Sequence, residues 1–344
     1  MSSLIPIPLD PTPYEWTSPN WATKVPDDVF PDEHVLCVPD GFMVRGGDSG
    51  HIYLMVQDKE DVHETNRTVR LTDHIDNYWY TSKGHWVDMN GDGRKDLLIA
   101  RARTYFDEGR LVWLEQPETG ALDGETAWKE HMITEGPDGE ISWDVLPQYP
   151  DEIVVWSTMP HERELALYRV STIDGSLVGK RTIQDKMEIA WSAKMEDLNG
   201  DGTKQLLVSN WTRRPGKNGV FAYTIPDDIM TGDFERHDIA MDFYIPWKYY
   251  FRMIGAPGIP EVLRMEGDER AHIVLPGNGN EKAWLLQPVG DASKFEYERH
   301  EIKDYGGPVS MAATADILGD GEQQVFIANS KKGFIEVYNT SLVQ

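Results

Sequence analysis

One motif occurs three times and sets the fold. Asp88-Met-Asn-Gly-Asp-Gly-Arg-Lys-Asp-Leu-Leu-Ile-Ala100 returns as Asp197-Leu-Asn-Gly-Asp-Gly-Thr-Lys-Gln-Leu-Leu-Val-Ser209, and in worn form as Asp316-Ile-Leu-Gly-Asp-Gly-Glu-Gln-Gln-Val-Phe-Ile-Ala328. A second element, aromatic-x-x-His-x-Ile, also recurs: Trp128…His131…Ile133, Phe234…His237…Ile239 and Tyr297…His300…Ile302. Short β-rich runs lie between them at Leu111–Leu114, Val220–Thr224, Ala283–Leu286 and Ile335–Tyr338. The motif copies are 109 and 119 residues apart, about twice a unit of 55 to 60 residues that repeats strand, acidic loop, strand, hairpin, strand and outer strand.

Four short antiparallel strands per unit describe a propeller blade, and no long 3.6-period stretch competes. The whole chain, 1–344, reads as a single all-β domain, a closed β-propeller of six blades, or seven if Met241–Gly258 holds a partial one. The last unit stops at Tyr338 without an outer strand. Trp21-Ala-Thr-Lys-Val-Pro-Asp27 matches that missing strand, so the N-terminal strand is expected to close the last blade and remove its edge.

Composition narrows the partners. The chain carries 33 basic against 58 acidic residues, a net charge of −25. Nucleic acid and anionic membranes are poor partners for it, because binding them needs clustered Lys and Arg. Cys37 is the only cysteine, so an intrachain disulfide or a Cys-built zinc site is impossible. The first ten residues contain prolines and no basic segment, and no run approaches the ~18 apolar residues of a membrane span. A cytoplasmic location and a small-molecule partner are expected, and the oligomeric state is left open.

In Asp88, Asn90, Asp92, Arg94 and Asp96, every second residue of a glycine-containing loop presents an oxygen, Arg94 through its carbonyl. Such spacing lets a loop wrap a hard cation. The repeats resemble FG-GAP/VCBS units of integrin-type propellers, and the resemblance implies structural Ca²⁺ at this loop. Asp197, Asn199 and Asp201 repeat the pattern, with Gln205 in the fourth ligand position. Leu318 and Gln324 break it in the third loop. The alternative is a turn whose side chains cap backbone amides.

The connections on the other face are rich in aromatics. They include Trp79 and Tyr80 in Asp76–His85, Trp211 in a hairpin, and Trp247, Tyr249 and Phe251 in Met241–Met253. Inner strands add Trp143 and Trp191. Together these read as walls of an apolar substrate cavity, with Lys83, His85, Asp144 and Arg252 as its catalytic polar groups. No Gly-x-Ser-x-Gly elbow, phosphate loop, His-Glu-x-x-His or dinucleotide fingerprint is present, so no organic cofactor is expected.

The run Gly84-His-Trp-Val-Asp88, Asp96-Leu-Leu-Ile99, Gly109-Arg-Leu-Val-Trp-Leu-Glu-Gln-Pro117 and Trp128-x-x-His131-x-Ile133-x-x-Gly136 is similar to the propeller domain of fungal aldos-2-ulose dehydratases. Their cupin-like second half has no counterpart here. In size and aromatic loops the chain also resembles the hetero-Diels–Alderases of fungal tropolonic sesquiterpenoid biosynthesis, a secondary-metabolite family. That resemblance implies a cofactor-independent cyclase of lyase type acting on large apolar substrates. A dehydratase-like lyase on sugars and a carbohydrate-binding propeller are the alternatives.

Overall fold

The computed structural model describes residues 21–41, 50–58, 65–73, 78–103, 108–212, 214, 216–252, 255–309, 311–329 and 333–340. The fold is an all-β propeller of six blades. Blade one is β1 (Thr23–Lys24), β2 (Glu33–Pro39), β3 (Ile52–Asp58) and β4 (Thr65–Arg70). In blade two, β5 (Tyr78–Tyr80) and β6 (His85–Val87) both pair with β7 (Asp96–Arg103), followed by β8 (Gly109–Glu115) and β9 (Lys129–Glu135). Blade three is β10 (Ile141–Asp144), β11 (Glu152–Met159), β12 (Glu164–Ser171) and β13 (Leu177–Gln184).

Blade four is β14 (Ile189–Glu196), β15 (Gln205–Trp211), β16 (Gly219–Thr224) and β17 (Glu235–Met241). Blade five is β18 (Glu261–Leu263), β19 (His272–Pro276), β20 (Lys282–Pro288) and β21 (Tyr297–Asp304). Blade six has three strands, β22 (Ala312–Ala315), β23 (Gln324–Asn329) and β24 (Phe334–Asn339). Met241–Gly258, where a seventh blade could have hidden, holds a 3-10 turn at Trp247–Arg252 and one isolated bridge, Thr212 to Ala256. Among the described residues no helix is long and apolar enough to cross a membrane.

Burial explains the strand sequences. Second strands are covered on both faces, so β7 reads Asp-Leu-Leu-Ile-Ala-Arg-Ala-Arg and is buried up to its last residue. Outer strands face water and are polar, as in Tyr-Glu-Arg-His-Glu-Ile-Lys-Asp of β21. The recurrent histidines belong to these outer strands. His131 Nε2 lies 2.7 Å from Glu115 on the neighbouring strand, its ring stacked on Trp113, and His237 pairs with Thr224 at 3.0 Å.

The N-terminal strand is placed differently from the sequence expectation. Thr23 and Lys24 pair with Cys37 and Leu36, making Trp21–Asp27 the first strand of blade one instead of the outer strand of blade six. The amide of Val25 donates to the Val35 carbonyl at 2.8 Å, and Val25, Val29 and Phe30 are buried in the blade-one core. A hairpin between neighbouring segments closes a short loop, whereas pairing with Phe334–Asn339 closes one of about 300 residues.

The chain packs as two compact units, Met1–His161 with Leu167–Lys180, and Glu162–Ala166 with Arg181–Gln344. In the first, Trp86 sits edge-on to Phe30 and Trp128, with ring centroids 6.1 and 6.0 Å away. In the second, Phe243, Leu275 and Phe295 join one core cluster, and Leu285, Val309 and Val325 another.

Candidate functional site

The acidic loops join first to second strands, as their sequences indicated. Asp88 Oδ1 accepts from the amides of Asn90 and Gly91, at 3.3 and 2.8 Å, and its Oδ2 accepts from Gly93 at 2.8 Å. Asn90 caps Asp92, and Asp92 caps Arg94. The Arg94 guanidinium pairs with the other Asp92 oxygen, and its Nε donates to the Gln116 carbonyl at 3.1 Å. Asp96 is fully buried and turned inward, accepting from Met89 and Gln116 amides at 2.9 and 2.8 Å. Burial pushes its pKa up to about 6.

The other two loops repeat this pattern. Asp197 accepts from Gly200 and Gly202, Asp201 from Thr203, and Asp316 from Gly319 and Gly321. The side chain of Asn199 is not part of this capping scheme; its Oδ1 is buried without a hydrogen-bond partner. In the third loop, Leu318 and Gln324 replace two ligand residues, yet the backbone is held in the same way. The donor set therefore fits a capped turn. It does not fit a closed Ca²⁺ cage, because position nine faces the core and Arg94 already neutralises Asp92. Among the described residues no three His, Cys, Asp or Glu side chains group as a metal site.

The expected cavity residues fall into one group in each unit. In the first unit, Trp79 and Tyr80 on β5 are 4% and 1% exposed. They pack in the interior of the unit and do not form open walls. Burial drives the Tyr80 hydroxyl pKa far up. Lys83 lies between β5 and β6, next to Gly84, whose backbone packs closely against the Leu97 side chain: a Cβ there would meet Leu97 Cδ1 at 2.4 Å. His85 Nε2 donates to the Ile141 carbonyl at 2.9 Å. Burial, with the Lys83 charge adding to it, lowers the His85 pKa to about 3. The imidazole is thus neutral at pH 7 and is a poor general acid. Trp143 and Asp144 are half-buried on β10, and Asp144 Oδ1 accepts from the Val145 amide.

A further feature lies in blade two. Arg101 is 5% exposed and pairs with Glu130 at 2.7 Å. The guanidinium carbons of Arg101 and Arg110 lie 4.7 and 5.0 Å from the Tyr78 ring centroid, and the Tyr78 hydroxyl donates to Glu108. In the sequence it shows as an arginine within the buried stretch of β7.

In the second unit, Trp191 and Trp211 stack with centroids 5.8 Å apart and planes 26° from parallel. Both are half-buried. The backbone of Gly255 lies on Trp211, since a Cβ there would approach the indole to 2.6 Å. Beside the pair, Glu188 accepts from Thr212 Oγ1 at 3.2 Å and from Arg214 Nη1 at 2.9 Å. The Glu188 side chain is 15% exposed and that of Arg214 64%. Tyr249 is buried and donates to Glu281 at 2.6 Å, a carboxylate it shares with Lys248. It is an anchor of the connection, whereas Trp247 is 67% exposed. The side chains of Phe251 and Arg252 lie outside the described residues.

No protein-family profile and no curated protein sequence matches the chain. Among solved structures it is similar to an α-L-arabinofuranosidase from Fusarium graminearum, with 10% identity, 94% of each chain covered and a TM-score of 0.56. An aldose sugar dehydrogenase from Streptomyces coelicolor matches with 12% identity, 94% of each chain and a TM-score of 0.47. At these identities the likeness is one of fold.

Proposed function

We propose that the protein is a cofactor-independent cyclase, of the hetero-Diels–Alderase kind, that holds a flat conjugated partner against Trp191 and Trp211. The observation supporting this reading is that stacked pair, half-open and edged by the Glu188–Arg214 ion pair. Burying an apolar face contributes ~25 cal/mol per Å², and a planar substrate gains most on a planar wall.

A hetero-cycloaddition turns π electrons of an oxygen-bearing diene and an alkene into one C–C and one C–O bond. No atom is lost, so the protein has only to align the partners and steady charge at the oxygen. The exposed face of Arg214 supplies the hydrogen-bond donors, and Glu188 fixes its direction. Where the conjugated partner arises by loss of water from an alcohol, Glu188 is the carboxylate positioned to exchange the proton.

The test is to supply an o-quinone methide, generated in situ, with a cyclic alkene and to resolve the adducts by chiral chromatography. A product ratio shifted from the uncatalysed one supports the reading. An unshifted ratio, with water lost from an anhydro-sugar instead, replaces it with a dehydratase-like lyase.

A further inference from the structure

A cavity of about 260 Å³ lies in the second unit among Asp268, Glu269, Arg270, His272, Gln287 and Pro288. Asp268, Glu269 and Arg270 belong to the β18–β19 connection, His272 begins β19, and Gln287 and Pro288 end β20. The volume is several times the roughly 30 Å³ taken by a liquid water.

Two buried nitrogens among these residues lack hydrogen-bond partners. His272 is 4% exposed, and its Nδ1 faces Asp268 Oδ2 at 3.6 Å, too far for a hydrogen bond. Arg270 gives Nη1 to the Val289 carbonyl at 2.9 Å and Nη2 to the Glu296 carbonyl at 3.4 Å, leaving Nε buried and unpaired. Unmet buried donors and acceptors are rare in folded proteins because water must be stripped from them without replacement.

The second acidic loop braces this wall. Gly200, at φ +71, lies against the Glu269 carbonyl, where a Cβ would approach to 1.9 Å, and the Ala271 amide donates to the Leu198 carbonyl at 3.0 Å. Arg264 ties the same loop down through the Asp197 carbonyl at 2.7 Å.

We infer that this cavity is a binding site for a small, neutral, polyhydroxylated molecule. Two carboxylates, Asp268 and Glu269, disfavour an anion, and the Arg270 charge is already turned to carbonyls. Asp268, Glu269 and His272 do not converge as a set that could hold a metal ion, and no other such set occurs among the described residues. Hydroxyl groups satisfy the whole set, since each both donates and accepts. One hydroxyl ~2.8 Å from both His272 Nδ1 and Asp268 Oδ2 bridges their gap, and another accepts from Arg270 Nε–H. Burial lowers the His272 pKa despite Asp268, which keeps the imidazole neutral and suited to a hydroxyl.

Saturation-transfer NMR on the full chain with D-glucose, D-xylose and myo-inositol tests this. At least one should show transfer, and Asp268→Asn should weaken its binding about tenfold or more, the scale of a hydrogen bond to a charged group. Arg214→Ala, at the tryptophan site, should leave that binding unchanged, so the two sites fail or stand separately. Asp268 and Gln287 are exposed, so Asp268→Asn and Gln287→Ala keep the test sound if variants of buried His272 do not fold. Absence of transfer from all three probes overturns the inference, as does transfer equal in wild type, Asp268→Asn and Gln287→Ala. Calorimetric Zn²⁺ binding abolished by Asp268→Asn, without sugar binding, also overturns it in favour of a cation site.

Discussion

His85 and Ile141 are joined by a 2.9 Å bond from the imidazole Nε2 to the peptide oxygen, which ties the first strand of blade two to that of blade three. The bond needs a proton on Nε2, and it is burial beside Lys83 that keeps the ring neutral, against the bond itself, which favours the charged form. Because the folded pKa of about 3 lies below the ordinary value of 6.5, the unfolded chain binds more protons between those values. The contribution of His85 is complete above pH 6.5 and is lost as pH falls toward 3. Between pH 6.5 and 5 it amounts to at most about 2 kcal/mol. Thermal melts should show a fall over that range that is smaller in His85→Gln.

The acidic loops should fold without metal. Chelation is expected to leave the melting temperature unchanged, whereas Asp96→Ala, which leaves two buried amides unpaired, should cost about 2 to 4 kcal/mol. Asp96→Gln should cost less, since Gln205 and Gln324 accept from the equivalent amides of Leu198 and Ile317 at 2.9 Å. A drop of several degrees with EDTA, reversed by Ca²⁺, would restore the loop to calcium ligation.

Glu130→Ala strands the buried Arg101 charge and should destabilise the protein by about 3 kcal/mol. Replacing both residues together, Arg101→Met with Glu130→Leu, should recover most of that loss. Urea titration of the single and double variants measures the difference.

For the proposed cyclase, Arg214→Ala should slow turnover about 10²-fold, the effect of one lost oxyanion donor. Trp211→Ala should erode stereoselectivity as well as rate. A Trp211→Ala enzyme with unaltered product ratio would remove the tryptophan pair from the mechanism.

The blade pattern was legible because backbone geometry leaves a local signature: the Asp-x-x-Gly-Asp-Gly turns and the apolar second strands follow each other in fixed order. The placement of Trp21–Asp27 was not, since an inner and an outer strand of two residues carry the same short pattern and only the partner differs. The aromatic walls were half legible. Trp191 and Trp211 come together, but Trp79, Tyr80 and Tyr249 are consumed by packing, and sequence cannot tell a buried indole from one facing a ligand. The Asp268–His272 wall went unread because its partners come from two connections that only the folded blade brings together.

The full Asp-x-x-Gly-Asp-Gly turn stands in blades two, four and six and skips the blades between. The turn thus repeats every two blades, so neighbouring blades carry unlike connections between their first and second strands. The folding of a protein assembled from three identical copies of the segment spanning blades two and three would show whether a double blade is a sufficient repeat.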